Sequence, residues 1–236
     1  ESKAYVTRYD ASDLLVVDPR DGTELGTIDL SEFADDDGIP EMTEMIRVDD
    51  RVYVSCQRLD RNNGWISDAS FLIAIDTATD QLIDLDAGSE GAQGIRLSAP
   101  NPNSVVAAGK LIAVAVVAGF GDLEGGIDLI DPVGGRSLGL AVSEAALGGD
   151  ISLLTMASTT KGFAVVSDAN FVYSVKPVDL ETGVVGEPLS GLSSGFISSV
   201  VVDGNRVIVG DRGSFSDPAA AGLKFYDVEA GMLIGE

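Results

Sequence analysis

LLVVDPRDG (14–22), FLIAIDTATD (71–80), IDLIDPVGG (127–135), VKPVDLETG (175–183) and LKFYDVEAG (223–231) are five versions of one phrase. An apolar, alternating run ends on an aspartate, and a turn rich in Gly, Thr and acidic residues follows. The aspartates are Asp18, Asp76, Asp131, Asp179 and Asp227, spaced 58, 55, 48 and 48 residues apart. Recurrence at such a period marks an array of one supersecondary unit. Here the unit has the length of a four-stranded sheet rather than of a helical repeat. The aspartate has a local task, since at the first position of a tight turn its carboxylate accepts backbone N–H groups two residues on. The Gly or Asp that follows tolerates the positive φ that such turns demand.

Each phrase has strands on both sides. After it come LGTIDL (25–30), QLIDLD (81–86), LGLAVS (138–143), VVGEPL (184–189) and MLIGE (232–236). Before four of the five lie hairpins: MIRVDDRVYVSC (45–56) about DD, VVAAGKLIAVAVV (105–117) about GK, LLTMASTTKGFAVVSD (153–168) about TTKG, and VVVDGNRVIVGD (200–211) about DGN. Turn dipeptides between alternating runs are the strongest short-range hairpin signal. The unit is therefore strand, hairpin, strand, loop, strand, aspartate turn, strand. That is the plan of a β-propeller blade. The expected fold is all-β, a propeller of about five four-stranded antiparallel blades at 1–30 (partial), 41–88, 101–145, 151–190 and 196–236. Helical signals are confined to one short turn in SEFADDDGIPEMTEM (31–45) and another in SEAALGG (143–149), too short to cover a sheet.

No strand precedes Ala4 in the first unit, and the last ends on its outermost strand. An unpaired edge must be closed or left open to another chain. The expectation is a longer protein whose N-terminal segment completes the ring, pairing that edge. The competing form is a five-bladed ring with one three-stranded blade.

The balance of 15 Lys and Arg against 38 Asp and Glu gives a net charge of −23, with no histidine. Phosphate contacts need clustered basic residues, so a nucleic-acid partner is rejected. Such acidity suits a protein facing salt or divalent cations, or serves solubility alone. Cys56 is the only cysteine and allows no internal disulfide, which leaves the redox compartment open. On its alternating strand it reads as a small buried hydrophobe. The longest apolar run, 111–120, is too short to span a bilayer.

The absence of histidine removes Ser-His-Asp and Cys-His nucleophiles, imidazole-held haem and nearly all catalytic zinc sites. The glycine clusters GFGDLEGG (119–126) and GGRSLG (134–139) lack the strand-to-helix setting of a phosphate cradle. Two loops remain as candidate sites. Asp35, Asp36, Asp37 and Glu41, with Gly38 for a bend, offer the oxygen donors that Ca²⁺ prefers, against the alternative of a solvated acidic loop. They depart from the EF-hand pattern because the acids are consecutive. The second loop holds Arg61, Asn62, Asn63 and the only tryptophan, Trp65. Such loops rim one propeller face, where an exposed aromatic serves recognition; the alternative is packing between blades. Arg47, Arg58, Arg61 and Arg96 lie near these acids as candidate partners.

Tyr5-Val6-Thr7-Arg8 with Val17-Asp18-Pro19-Arg20-Asp21-Gly22, and Val52-Tyr53-Val54 with Ile75-Asp76-Thr77-Ala78-Thr79, resemble the two halves of the YVTN-type β-propeller repeat of bacterial and archaeal surface proteins. The resemblance covers roughly the first third of the chain; the later repeats keep only the aspartate and turn. It implies a seven-bladed ring, export to the periplasm, outer membrane or cell surface, and an N-terminal lipid anchor as the membrane link. It implies no activity. The functional expectation is a non-catalytic exported module that binds a protein or small-molecule ligand at its loop face. Two alternatives stay open: a calcium-dependent propeller hydrolase or lactonase, and a structural subunit of a surface layer or filament that uses an open blade edge.

Overall fold

The computed structural model describes residues 2–85, 88 and 91–236. Glu1 and Asp86, the last residue of QLIDLD, lie outside the described residues. Five antiparallel sheets follow one another along the chain. The first holds β1 (Ala4–Val6), β2 (Asp13–Val17) and β3 (Glu24–Asp29). The second holds β4 (Met42–Val48), β5 (Arg51–Cys56), β6 (Phe71–Asp76) and β7 (Gln81–Leu82). A further strand, β8 (Ile95–Arg96), pairs with β6 beside β7. The third holds β9 (Pro102–Ala108), β10 (Leu111–Val116), β11 (Gly126–Asp131) and β12 (Arg136–Ser143). The fourth holds β13 (Asp150–Met156), β14 (Lys161–Ser167), β15 (Tyr173–Asp179) and β16 (Val184–Val185). The fifth holds β17 (Ile197–Asp203), β18 (Arg206–Asp211), β19 (Gly222–Asp227) and β20 (Leu233–Gly235). Within each sheet, neighbours in sequence are neighbours in space, and the first strands β4, β9, β13 and β17 pack side by side.

The sheets stack face to face, and an apolar core fills each of the four gaps. Strand periodicity explains how. Successive side chains point to opposite faces, so an inner sheet, covered on both sides, needs apolar residues at every position. On β10, Ile112, Val114 and Val116 face the second sheet while Ala113 and Ala115 face the fourth. On β14, Ala164 and Val166 face the third sheet, and Phe163 and Val165 the fifth. Cys56 lies buried in the core between the first two sheets, and burial pushes its thiol up to about 12.

All five aspartate turns close alike. In each, Oδ1 accepts the backbone N–H two residues on: Arg20 for Asp18, Ala78 for Asp76, Val133 for Asp131, Glu181 for Asp179 and Glu229 for Asp227. The residue four after each aspartate has positive φ: Gly22, Asp80, Gly135, Gly183 and Gly231. The short helical turns expected in 31–45 and 143–149 appear as a 3₁₀ turn at Ser31–Phe33 and a helix, α1 (Glu144–Leu147). VVGEPL (184–189) differs from expectation. Only Val184 and Val185 pair regularly, because Pro177, opposite Gly186 on β15, has no N–H to return; Gly186 and Leu189 each give one bond to β15.

The alternation of strand direction sorts the connections onto two faces. The aspartate turns and the first hairpins share one, where Thr77 bonds Asp50, Leu180 bonds Thr160 and Val228 bonds Asn205. The loops between second and third strands share the other with the crossovers between sheets. There Tyr9 bonds Gln57 from the first sheet to the second, and Tyr173 at the head of β15 bonds Ser194 in the crossover to the fifth. The bonds of Leu97 to Ser70, Val117 to Asn101, Gly125 to Glu144 and Arg212 to Phe196 tie loops to crossovers at the ends of single sheets.

Candidate functional site

Both candidate loops lie on this second face, at the rim of the second sheet. Loop 31–41 enters β4, and loop 57–70 joins β5 to β6. In the first, the buried Phe33 anchors the 3₁₀ turn, Asp35 Oδ1 accepts Asp37 N at 3.2 Å, and Asp37 Oδ1 accepts Ile39 N at 2.8 Å. In the second, Asp60 caps a 3₁₀ turn at Arg61–Asn63 by accepting Asn62 N at 2.9 Å. Gly64 and Trp65 then both take left-handed conformations, at φ 71° and 64°. Trp65 N donates to Asp60 O at 2.8 Å, and Asp60 N to Ile66 O at 3.0 Å, closing the loop on itself.

Arg61 ties the two loops together. Its backbone N donates to Asp37 Oδ2 at 3.1 Å, its Nε to Glu41 Oε1 at 3.0 Å, and its Nη2 to Asp10 Oδ1 at 2.7 Å. The guanidinium also lies over the Trp65 ring, 5.1 Å from its centroid, and over Tyr9 at 5.8 Å. Glu41 is fully buried and spends its other oxygen on Leu59 N at 3.0 Å. Burial raises its carboxyl above the ordinary value even though Leu59 and Arg61 pull the other way. The expected cation set therefore divides. Glu41 is a latch between the loops, committed to Arg61 and Leu59.

Asp35 and Asp37 meet Asp60 instead. One carboxylate oxygen from each lies within 4.8 Å of the other two, the one such group of three among the described residues. Two oxygens at 2.3–2.6 Å from a shared Ca²⁺ are at most about 5 Å apart, so the trio has the right spread. Asp35 Oδ2 is buried and has no hydrogen-bond partner. Burial, with the charges of Asp37 and Asp60, raises the Asp35 carboxyl above its ordinary value. Asp37 goes the other way: burial opposes ionisation, but the N–H groups of Arg61 and Ile39 hold it below the usual range. A cavity of about 240 Å³ lies alongside, lined by Asp35, Asp36, Asp60 and Asp68 with Arg58 and Asn63. Asp36 borders the cavity without joining the trio. Asp60 is the member that linear spacing hides, since it comes from the other loop.

Trp65 is 53% exposed, so packing between blades does not describe it. Asn62 and Asn63 are exposed beside it. Of the four arginines, Arg61 makes the acidic pairings just described. Arg58 Nη2 donates to Ala34 O and its guanidinium lies over Phe71. Arg47 reaches Asp49 O, and Arg96 sits on β8.

No protein-family model matches the chain, and no curated protein matches it. Solved structures do. A chain of Kuenenia stuttgartiensis hydrazine synthase superposes with a TM-score of 0.64 at 14% identity, covering 98% of this chain and 61% of that one. Kluyveromyces lactis Hsv2 gives 0.55 at 10% identity, over 96% of this chain and 59% of its own. PorZ of Porphyromonas gingivalis, described as a bacterial surface component of the type-IX secretion system, gives 0.59 at 10% identity over 99% and 26%. At these identities the likeness is one of fold: the chain is a β-propeller module. It spans about three fifths of the hydrazine synthase chain.

Proposed function

We propose that the chain is a non-catalytic binding module whose ligand seats on the rim of the second blade, against Trp65, Asn62 and Asn63, with Arg61 bracing the platform. The observation that carries this reading is the state of Trp65. A half-exposed indole is held in a left-handed conformation by its own loop and backed by a guanidinium whose charge is already matched. Backbone strain of this kind costs on the order of 1–3 kcal/mol and gathers where function uses it. An amphipathic ring fixed before the ligand arrives also loses little entropy on binding.

The Asp35–Asp37–Asp60 trio supports a second element, a Ca²⁺ ion that fastens the two loops and so sets the platform. The module acts outside the cytoplasm, a reading supported by the YVTN-like repeats and by the surface role stated for PorZ.

Trp65 is the only tryptophan, so its emission reports this site directly. Titration with a basic peptide, an acidic peptide and a neutral oligosaccharide gives a saturable change for at least one, and calorimetry shows that binding lost in Trp65→Ala. No change with any of them would sink the reading. For the cation, Ca²⁺ at a hundred times its Kd stabilises by about 2.7 kcal/mol, and Asp35→Asn or Asp60→Asn removes the gain. A gain that survives both substitutions puts the ion elsewhere.

A further inference from the structure

Trp65 has counterparts. The loop between the second and third strands of each four-stranded blade, and the matching β1–β2 loop of the three-stranded first blade, carries an exposed aromatic ring: Tyr9 at 39%, Trp65 at 53%, Phe120 at 76%, Phe171 at 78%, and Phe215, fully exposed. The loops differ in length and sequence, so a ring in each is not the repeat of a motif. Two of the five, Trp65 and Phe171, stand in left-handed backbone at φ 64° and 58°. Phe171 is held there by a bond from its N to Asp168 O at 2.9 Å, as Trp65 is by Asp60. Positive φ is unusual for a bulky residue, and exposing such a ring to water gains nothing for the fold. One ring per blade on the same face offers a row of separate anchors, and aromatic anchors carry much of the energy at binding surfaces.

Four of the rings also have a carboxylate within three residues along the chain: Asp68 for Trp65, Asp122 for Phe120, Asp168 for Phe171 and Asp217 for Phe215. Asp10, next to Tyr9, is already paired with Arg61, whose guanidinium lies over the Tyr9 and Trp65 rings. An aromatic face attracts a cation, and a neighbouring carboxylate reinforces that attraction. A net charge of −23 repels acidic partners and draws basic ones.

We propose that this face as a whole, and not the second blade alone, is a docking surface for a polypeptide segment that intersperses Lys or Arg with apolar side chains. The proposal rests on the binding reading above and names the partner's chemistry. Aromatic side chains bury roughly 150–250 Å² each when covered. Phe120, Phe171 and Phe215, with the exposed parts of Tyr9 and Trp65, supply much of the roughly 800 Å² per partner of a standard interface. Basic side chains seat between ring and carboxylate at Phe120, Phe171 and Phe215, and apolar ones cover the rings of Tyr9 and Trp65, whose other faces Arg61 already holds.

The test uses a labelled peptide alternating lysine with leucine and glycine, and its counterpart with glutamate for lysine, read by fluorescence anisotropy at low and high salt. The lysine peptide binds, weakens with salt, and the glutamate peptide does not bind. Phe120→Ala, Phe171→Ala and Phe215→Ala each weaken binding about tenfold, the loss typical of one aromatic anchor. Because these rings are largely in water, the variants keep the wild-type Tm. Equal binding of the two peptides overturns the proposal, and so does wild-type affinity in all three variants. If only Trp65→Ala loses binding, or only a neutral or acidic ligand shifts Trp65 emission, this proposal falls while the second-blade reading stands. If nothing shifts Trp65 and neither peptide binds, both fall.

Discussion

Glu144 sits where a helix cap would leave it in water, yet it is fully buried. It opens α1 at the crossover from the third blade to the fourth, and its two oxygens accept Gly125 N and Ile151 N, each at 2.9 Å. The side chain thereby clamps the loop that carries Phe120 to the start of β13. Burial pushes its carboxyl up from 4.5 to about 7, with Asp150 and Asp122 adding repulsion against the two N–H donors. Because the folded state holds this proton more tightly than the unfolded chain, the contribution to stability is whole below pH 4.5. It shrinks as the unfolded chain ionises and is gone once pH passes through about 7. At about 1.4 kcal/mol per pH unit, the loss across that window is roughly 3 kcal/mol. Glu144→Gln isolates it. Glutamine is neutral at every pH, but its amide nitrogen meets one of the two N–H donors and leaves that donor unpaired, a penalty of about 1–3 kcal/mol. The variant is thus the less stable protein at pH 5 and recovers against wild type by roughly 2.5 kcal/mol at pH 8.5, part of the loss having already occurred by pH 5. For a chain of this size that is a relative shift in Tm of about 5–10 °C. Denaturant or thermal unfolding of both proteins at the two pH values measures it, and the double difference cancels the other carboxylates. A wild-type-to-variant gap that is the same at pH 5 and pH 8.5 would refute the argument.

Trp65→Ala leaves the Tm within a few degrees, because half the indole is already in water; a large drop by calorimetry would make it a packing residue instead. Glu41→Ala leaves the Leu59 N–H without its acceptor and the Arg61 guanidinium with Asp10 as its remaining hydrogen-bonded carboxylate; it is expected to cost about 1–3 kcal/mol and to loosen the Trp65 platform, read as a red shift and easier quenching of its emission. Asp131→Ala unties a turn whose Oδ1 serves Val133 N and Gly134 N, and should cost about 1 kcal/mol in urea unfolding. Leu72→Ala, at 0% exposure in the core between the second and third blades, should cost about 2–5 kcal/mol. Asp76 and Asp179 are held below the ordinary carboxylate range by backbone N–H groups. Their contribution is therefore present above pH 3.8 and lost as pH falls through their lower folded values, which an acid titration followed by circular dichroism detects.

The parts of this fold that are legible in the sequence are those whose physics is local. An aspartate that bonds N–H groups two residues on can be read wherever it recurs, and all five such turns form as read. The near-continuous apolar run of β10 likewise follows from covering both faces of a strand, which leaves no place for polar residues. What stays hidden depends on which loops meet. Asp60 joins Asp35 and Asp37 only because two loops share one end of a blade, and no spacing in the chain announces that. Glu144 follows Ser143, whose Oγ caps Ala146 N as the SEAALGG signal implies. Whether the next carboxylate faces water or turns inward is decided by Gly125 and Ile151, distant in sequence. β8 is equally contextual: β7 ends at Leu82, and its vacant lane beside β6 accepts a two-residue strand too short to show any period. The aromatic rings of the loop face fall between these cases. They stand in equivalent loops, but loops of unequal length have no common period, so equivalence emerges only once the strands are aligned in space. A propeller separates the two kinds of information by its geometry. Strands and tight turns repeat and can be read along the chain, while the long loops of one face diverge and acquire meaning from their neighbours, which is why the candidate site lies among them.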